Sequence, residues 1–182
     1  GSETQTTYPA SIKGVQDVEI RPKVSGFITK LCVQEGQVVK AGQLLFVIDN
    51  TTYQAQVRQA QAALNSAKVQ LNTTKLTFDN SKKLHERNVI GSYELQTAEN
   101  NYENARAAVA QAQASLASAK DMLGFCFVKS PANGIVGSLP YKVGALVSAQ
   151  SVEPLTTVSN ASSVEVYFSV TEKDVLDMSK RA

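Results

Sequence analysis

A chain of 182 residues with 43% hydrophobic residues holds one or two modest domains, and much of its apolar content is Ala, which buries little surface and argues against a large enzyme-type core. The net charge of +2 comes from mixed signs, with no dense Lys/Arg patch interleaved with aromatics, which argues against nucleic-acid binding. No run of about 18 apolar residues marks a membrane span or signal peptide, and Gly1-Ser2 reads as a remnant of cloning, so the sequence is silent on export.

In chain order, the first β segment runs Pro22-Lys23-Val24-Ser25-Gly26-Phe27-Ile28, then Val33, Gly36, Val39 and Gly42, and ends in Leu44-Leu45-Phe46-Val47-Ile48. A second segment has the same layout: Pro131-Ala132-Asn133-Gly134-Ile135-Val136, then Gly144, Val147 and a closing strand around Leu155 to Val158. Gly36 follows Gly26, and Gly144 follows Gly134, at the same interval, with Val39 and Val147 at matching positions beyond. Glycines at matched offsets predict equivalent turns with positive φ. Two such half-motifs predict a quasi-twofold sandwich of short strands.

Between them lies a heptad pattern. Stepping by four and three from Tyr53 gives Val57, Ala60, Leu64, Ala67, Leu71, Thr74, Phe78, Ser81 and His85; the returning arm gives Leu95, Ala98, Tyr102, Ala105, Val109, Ala112, Leu116, Ala119 and Leu123. Large residues alternate with small ones on both arms, so each large side chain meets a small one across the seam. The stretch Ala60 to Lys68 is echoed by Ala112 to Lys120, one design used twice. Asp49, Asn50 and Thr51 offer N-cap side chains for the first helix, Asn88-Val89-Ile90-Gly91-Ser92 breaks the period with Gly91 as the turn and Ser92 as the next cap, and Gly124 closes the second helix. Arms of this length span roughly 45 to 55 Å, which predicts a hairpin projecting beyond a small β base.

Chemistry-bearing residues are sparse. Cys32 and Cys126 fall in predicted strands of the two β segments, and two cysteines make neither a disulfide framework nor a zinc site. His85 is the only histidine and lies near the tip, without a second His or Cys nearby to make it a ligand. No nucleophile-base-orienter constellation, phosphate-cradling loop or metal-ligand spacing is present; the reading is non-enzymatic, with no cofactor.

Split lipoyl-like half-motifs flanking a long helical hairpin resemble the periplasmic adaptor subunits, or membrane fusion proteins, of bacterial tripartite efflux pumps of the resistance-nodulation-division type. The resemblance runs from about Thr6 to the C-terminus and includes Ser130-Pro131-Ala132-Asn133-Gly134 and the stretch Ser163 to Val170, which is similar to the opening of the family's β-barrel domain. It implies an α+β fold: a long antiparallel coiled-coil hairpin (51–123) inserted in a split lipoyl-like β-sandwich, or barrel-sandwich hybrid (half-motifs 21–50 and 124–160). Residues 1–20 are then an N-terminal segment and strand of the β-barrel domain, and 161–182 its truncated continuation in a subunit about twice as long. It further implies a periplasmic protein anchored to the inner membrane of a Gram-negative bacterium through parts outside this sequence. Its partners would be an inner-membrane transporter, an outer-membrane channel and other copies of itself in a hexamer.

Many adaptors of this family carry at the hairpin turn an Arg, a Leu four residues on and a Ser seven beyond that. Alignment on Leu84 and Ile90 puts Asn80 at the Arg position and Gly91 at the Ser position, with Ser92 one place late, so only the apolar part of the signature is kept. The tip residues assigned to partner contact are Leu84, Arg87, Asn88, Val89, Ile90, Gly91 and Ser92; Leu84, Val89 and Ile90 equally suit the closing of a turn. A stripe of Ala107, Ala110, Ala114 and Ala117, offset from the seam, suits lateral packing of hairpins, and equally suits an exposed face filled by the best helix former. Three alternatives stand beside the adaptor of a proton-driven pump: an adaptor of an ATP-driven exporter or type I secretion system, a lipoyl or biotinyl carrier, and a structural coiled-coil spacer. The carrier needs an acceptor lysine on a tight turn, and the hairpin occupies that junction after Ile48-Asp49.

Overall fold

The computed structural model describes residues 17–160, which form two units: a helical unit, Asn50–Gly124, and a β unit made of the chain up to Asp49 and from Phe125 onward. Residues 1–16 and 161–182, with the barrel stretch read at Ser163 to Val170, lie outside the described residues.

The β unit holds β1 (Asp17–Ile20), β2 (Gly26–Leu31), β3 (Val38–Val39), β4 (Leu44–Ile48), β5 (Phe127–Lys129), β6 (Gly134–Val136), β7 (Leu146–Val147) and β8 (Thr156–Ser159). They make two four-stranded sheets, ordered β1-β8-β6-β3 and β5-β4-β2-β7. Exchanging β1 for β5, β8 for β4, β6 for β2 and β3 for β7 turns one sheet into the other. The registers obey the same exchange: Ile20 faces Thr156 and Glu19 faces Thr157, while Val128 faces Phe46 and Phe127 faces Val47. Each sheet takes strands from both half-motifs, so neither half pairs its backbone alone.

The turns repeat too. Gly36 N–H donates to the Val136 carbonyl and Gly144 N–H to the Ile28 carbonyl, both at 2.8 Å. These two glycines have φ of 81° and 95°, a region where L side chains are strained. The leading glycines differ from expectation: Gly26 and Gly134 are absent from the positive-φ positions and serve close approach instead. A Cβ on Gly26 would sit 2.7 Å from Ile48 Cγ2, and one on Gly134 would collide with the Ser159 backbone.

One boundary shifts. The strand before residue 21, read as part of a barrel, is Asp17–Ile20, and it pairs along its length with β8 and buries Ile20 in the sandwich. Without it β8 would be a bare edge, as β4 would be without β5. Polar contacts join the halves: Asn133 Oδ1 accepts the Ala41 N–H (2.9 Å) and Glu35 Oε1 the Leu139 N–H (3.2 Å). Arg21 donates to the Ser151 carbonyl at 2.7 Å. The two cysteines sit one residue outside strands rather than within them, Cys32 after β2 and Cys126 before β5, and both are thiols. Burial, then the nearby Asp49 carboxylate, push the Cys126 thiol up from its ordinary value and hold it protonated.

The helical unit is α1 (Thr51–Glu86) and α2 (Ser92–Gly124). Every seam position read from the heptads is buried or half-buried, with Leu64, Ala98, Ala105, Val109 and Leu116 the most enclosed. Leu64, Val109 and Leu116 form one core cluster, joined by Val57, Ala60, Ala67, Leu71 and Ala112. Nearer the tip, the Phe78 and Tyr102 rings stack with centroids 5.7 Å apart, so that here a large side chain meets a large one across the seam and not the small one expected from the alternation. Lys82 lies 4.5 Å over Phe78 and Arg106 5.8 Å over Tyr102, closing the stack with a cation at each end. The cap differs from the reading: Asn50 makes no side-chain cap bond, and its Oδ1 instead accepts from Gln54 Nε2 at 2.7 Å.

Candidate functional site at the hairpin tip

The tip is built by the way α1 stops. Asn88 has φ of 59°, its N–H donates to the His85 carbonyl (2.9 Å), and the Val89 N–H reaches back to the Leu84 carbonyl (2.8 Å). This is the paired bonding of a Schellman stop, with Asn88 at the left-handed position and Val89 just beyond it. The turn is thus made by Asn88 and not by Gly91, which has no positive φ and whose carbonyl accepts the Leu95 N–H in the first turn of α2. Asn takes the left-handed region at lower cost than other side-chain-bearing residues, and that preference is the sequence signal for the turn at this position. Ser92 is the first residue of α2 and not its cap; its Oγ lies 3.5 Å from His85 Nε2, across the turn.

This stop sorts the apolar tip residues. Leu84 and Ile90 are half-buried, leaning into the end of the seam, whereas Val89 is 64% exposed. Arg87, Asn88, Gly91 and Ser92 are exposed around it. The tip therefore offers a small apolar knob in a polar collar. Replacing Asn88 by Val is expected to cost the hairpin about 1–2 kcal/mol, since a β-branched residue resists the left-handed region. Asn88→Gly is expected to match or exceed the parent, and urea unfolding followed by far-UV circular dichroism measures both.

Further down α2, Ala107, Ala110, Ala114 and Ala117 are all exposed and clear of the seam. Among the described residues no group of three or more His, Cys, Asp or Glu is placed to hold a metal. No described helix is long and apolar enough to cross a membrane. At the junction where a carrier domain would show a lysine turn, the chain leaves β4 at Ile48 and enters α1 at Thr51.

A sandwich made of two exchanged half-motifs with a helical hairpin between β4 and β5 agrees with the match of residues 16–159 to the family described as "RND MFP, barrel-sandwich hybrid domain". The chain belongs to the RND membrane fusion proteins. Among its relatives in that family, the efflux pump periplasmic linker BepF of Brucella suis is 32% identical over 97% of this chain and 43% of its own length. The multidrug efflux pump subunit AcrA of Escherichia coli K12 is 32% identical over 94% of this chain, also 43% of its own. A crystal structure of a MacA-MexA chimera containing the Pseudomonas aeruginosa MexA α-hairpin domain superposes with a TM-score of 0.59 at 32% identity, covering 80% of this chain and 47% of that one. The chain thus spans less than half the length of these membrane fusion proteins.

Proposed function

We propose that this chain is the hairpin and sandwich portion of a periplasmic adaptor that bridges an inner-membrane efflux transporter and an outer-membrane channel for the export of drugs or other small molecules. The protein does no chemistry; its work is reach and contact. The observation that carries the reading is the exposed apolar knob at the end of a hairpin whose seam positions are all buried or half-buried, on a chain of the membrane fusion family. A rod that only spaced two bodies would need a closed turn, and Leu84 and Ile90 already close this one. Val89 is left outward with its apolar surface in water, open to a partner.

The adaptor works in the periplasm, attached to the inner membrane, with its tip residues Leu84, Arg87, Asn88, Val89, Ile90, Gly91 and Ser92 meeting the channel and its copies arranged side by side as a hexamer. An adaptor for an ATP-driven exporter is the second reading, supported by likeness to MacA-containing structures. Val89→Asp in the full-length protein is the clean test, because the side chain is outside the fold. Export is expected to be lost, with susceptibility to pump substrates rising at least several-fold, while helical content and melting stay within surface-mutation limits of about 0.5 kcal/mol. Unchanged susceptibility would favour a spacer.

A further inference from the structure

The hairpin seam changes character along its length. The apolar cluster of Leu64, Val109 and Leu116, with Val57, Ala60, Ala67, Leu71 and Ala112 packed against it, ends on α1 at Leu71. Leu64 is the only buried residue of α1, and past Leu71 its seam reads Thr74, Phe78, Ser81 and His85, all half-buried.

At Thr74 the helices stop filling the space between them. A groove of about 490 Å³ opens there, lined by Gln70, Thr74, Asn101, Asn104, Ala105 and Ala108. The Thr74 hydroxyl does not bridge it: it donates back to the Leu71 carbonyl (2.9 Å) and the Gln70 carbonyl (3.1 Å) of its own helix. Back-bonding of this kind slightly destabilises and bends a helix, and the short Ala105 side chain leaves the walls of the groove without dispersion contacts. This level does little to hold the arms together.

Beyond the groove the arms are rejoined by a matched device. Phe78, Asp79 and Lys82 on α1 have the same spacing as Tyr102, Glu103 and Arg106 on α2. The two rings stack with 30° between their planes, and the cation lying over each ring is paired with the acid of its own helix, Lys82 with Asp79 at 3.4 Å and Arg106 with Glu103 at 3.3 Å. Both ion pairs are about half exposed, so water screens them and the stack supplies most of the attraction. From the stack to the turn the only buried side chain is the methyl of Ala98, with Leu84, Ile90 and Leu95 half-buried.

We infer that the hairpin consists of two cooperative segments in series: a proximal rod held by the Leu64, Val109 and Leu116 cluster, and a distal segment, 78–102, that opens and recloses as a unit at the Thr74 and Ala105 groove, with the Phe78–Tyr102 stack as its clasp. Local opening concentrates where buried apolar contact is sparse, and the distal segment buries one alanine where the proximal one buries leucines and a valine. Val89 rides on the distal segment, so a partner that grips the tip also selects the closed clasp and must offset the entropy lost in ordering it. The two segments exist whether or not the tip meets a channel.

The test is native-state hydrogen exchange of the full-length protein, read peptide by peptide by mass spectrometry. Protection factors in 78–102 are expected to lie on the order of tenfold or more below those in 57–71 and 107–120, with a step at the groove and not a slope from the turn. Phe78→Ala is expected to lower protection in 78–102 several-fold further and to leave 57–71 unchanged. Thr74→Leu, which puts a branched apolar side chain into the groove, is expected to raise distal protection toward the proximal level and shrink the step. A single protection level along both arms, a smooth gradient running down from Asn88, or a Phe78→Ala variant that loosens both segments by the same factor would overturn the two-segment hairpin.

Discussion

Gly134→Ala is expected to destabilise the β unit by about 3 kcal/mol or more, whereas Gly26→Ala, at the equivalent place in the other half, should cost about half as much. The two glycines open β6 and β2, which exchange under the quasi-twofold, yet what lies above them differs. A Cβ on Gly26 would press on Ile48 Cγ2 at 2.7 Å, a methyl that a small χ adjustment moves aside. A Cβ on Gly134 would strike Ser159 itself, its carbonyl carbon at 2.8 Å and its oxygen closer, and Ser159 is held by pairing to both Ile135 and Asp17. Strands paired on both sides do not yield cheaply, and overpacking of this kind lies at or above the usual 1–3 kcal/mol. Cys126 supplies the measurement: it is 0% exposed in the β unit, so its alkylation by iodoacetamide in increasing urea reports opening of the sandwich separately from melting of the hairpin. Equal midpoints for the two variants would refute the difference in environment.

Phe46→Ala is expected to cost about 3–5 kcal/mol, the range for deleting a fully buried aromatic ring. Phe46 is 0% exposed on β4, a strand paired on both sides, by β2 and β5. Its equivalent on β8 is Thr156, also buried, whose hydroxyl donates to the Ser138 carbonyl at 2.8 Å. The two halves thus share a backbone but not a core: one fills its place with an aromatic ring, the other with a methyl and a satisfied hydroxyl. Since native domains keep only about 5–15 kcal/mol in all, Phe46→Ala should lower the Cys126 labelling midpoint substantially, with the hairpin's circular dichroism signal largely kept.

How far these features were legible depended on whether the physics was periodic. The seam positions were readable, since burying one stripe of a helix requires apolar residues at steps of three and four, but not their partners: Phe78 meets Tyr102 and not a small residue. The strands β2, β4, β6 and β8 were readable from paired glycines and Val-rich runs. β1 was assigned to the wrong module because Asp17–Ile20 has three exposed residues and one buried one, a pattern that says little until β8 is there to pair with it. The tip was readable as a turn but not in its mechanism, because Gly91 drew the left-handed role that Asn88 holds. That reassignment changes the site: with the stop at Asn88, Val89 points outward, while Leu84 and Ile90 turn inward.

The most direct test of the adaptor reading is photo-crosslinking from the tip in cells that contain the full-length protein with its transporter and outer-membrane channel. A benzoylphenylalanine at position 89 is expected to yield an adduct with the outer-membrane channel. Absence of a channel adduct from position 89, in protein whose hairpin is folded, would contradict it.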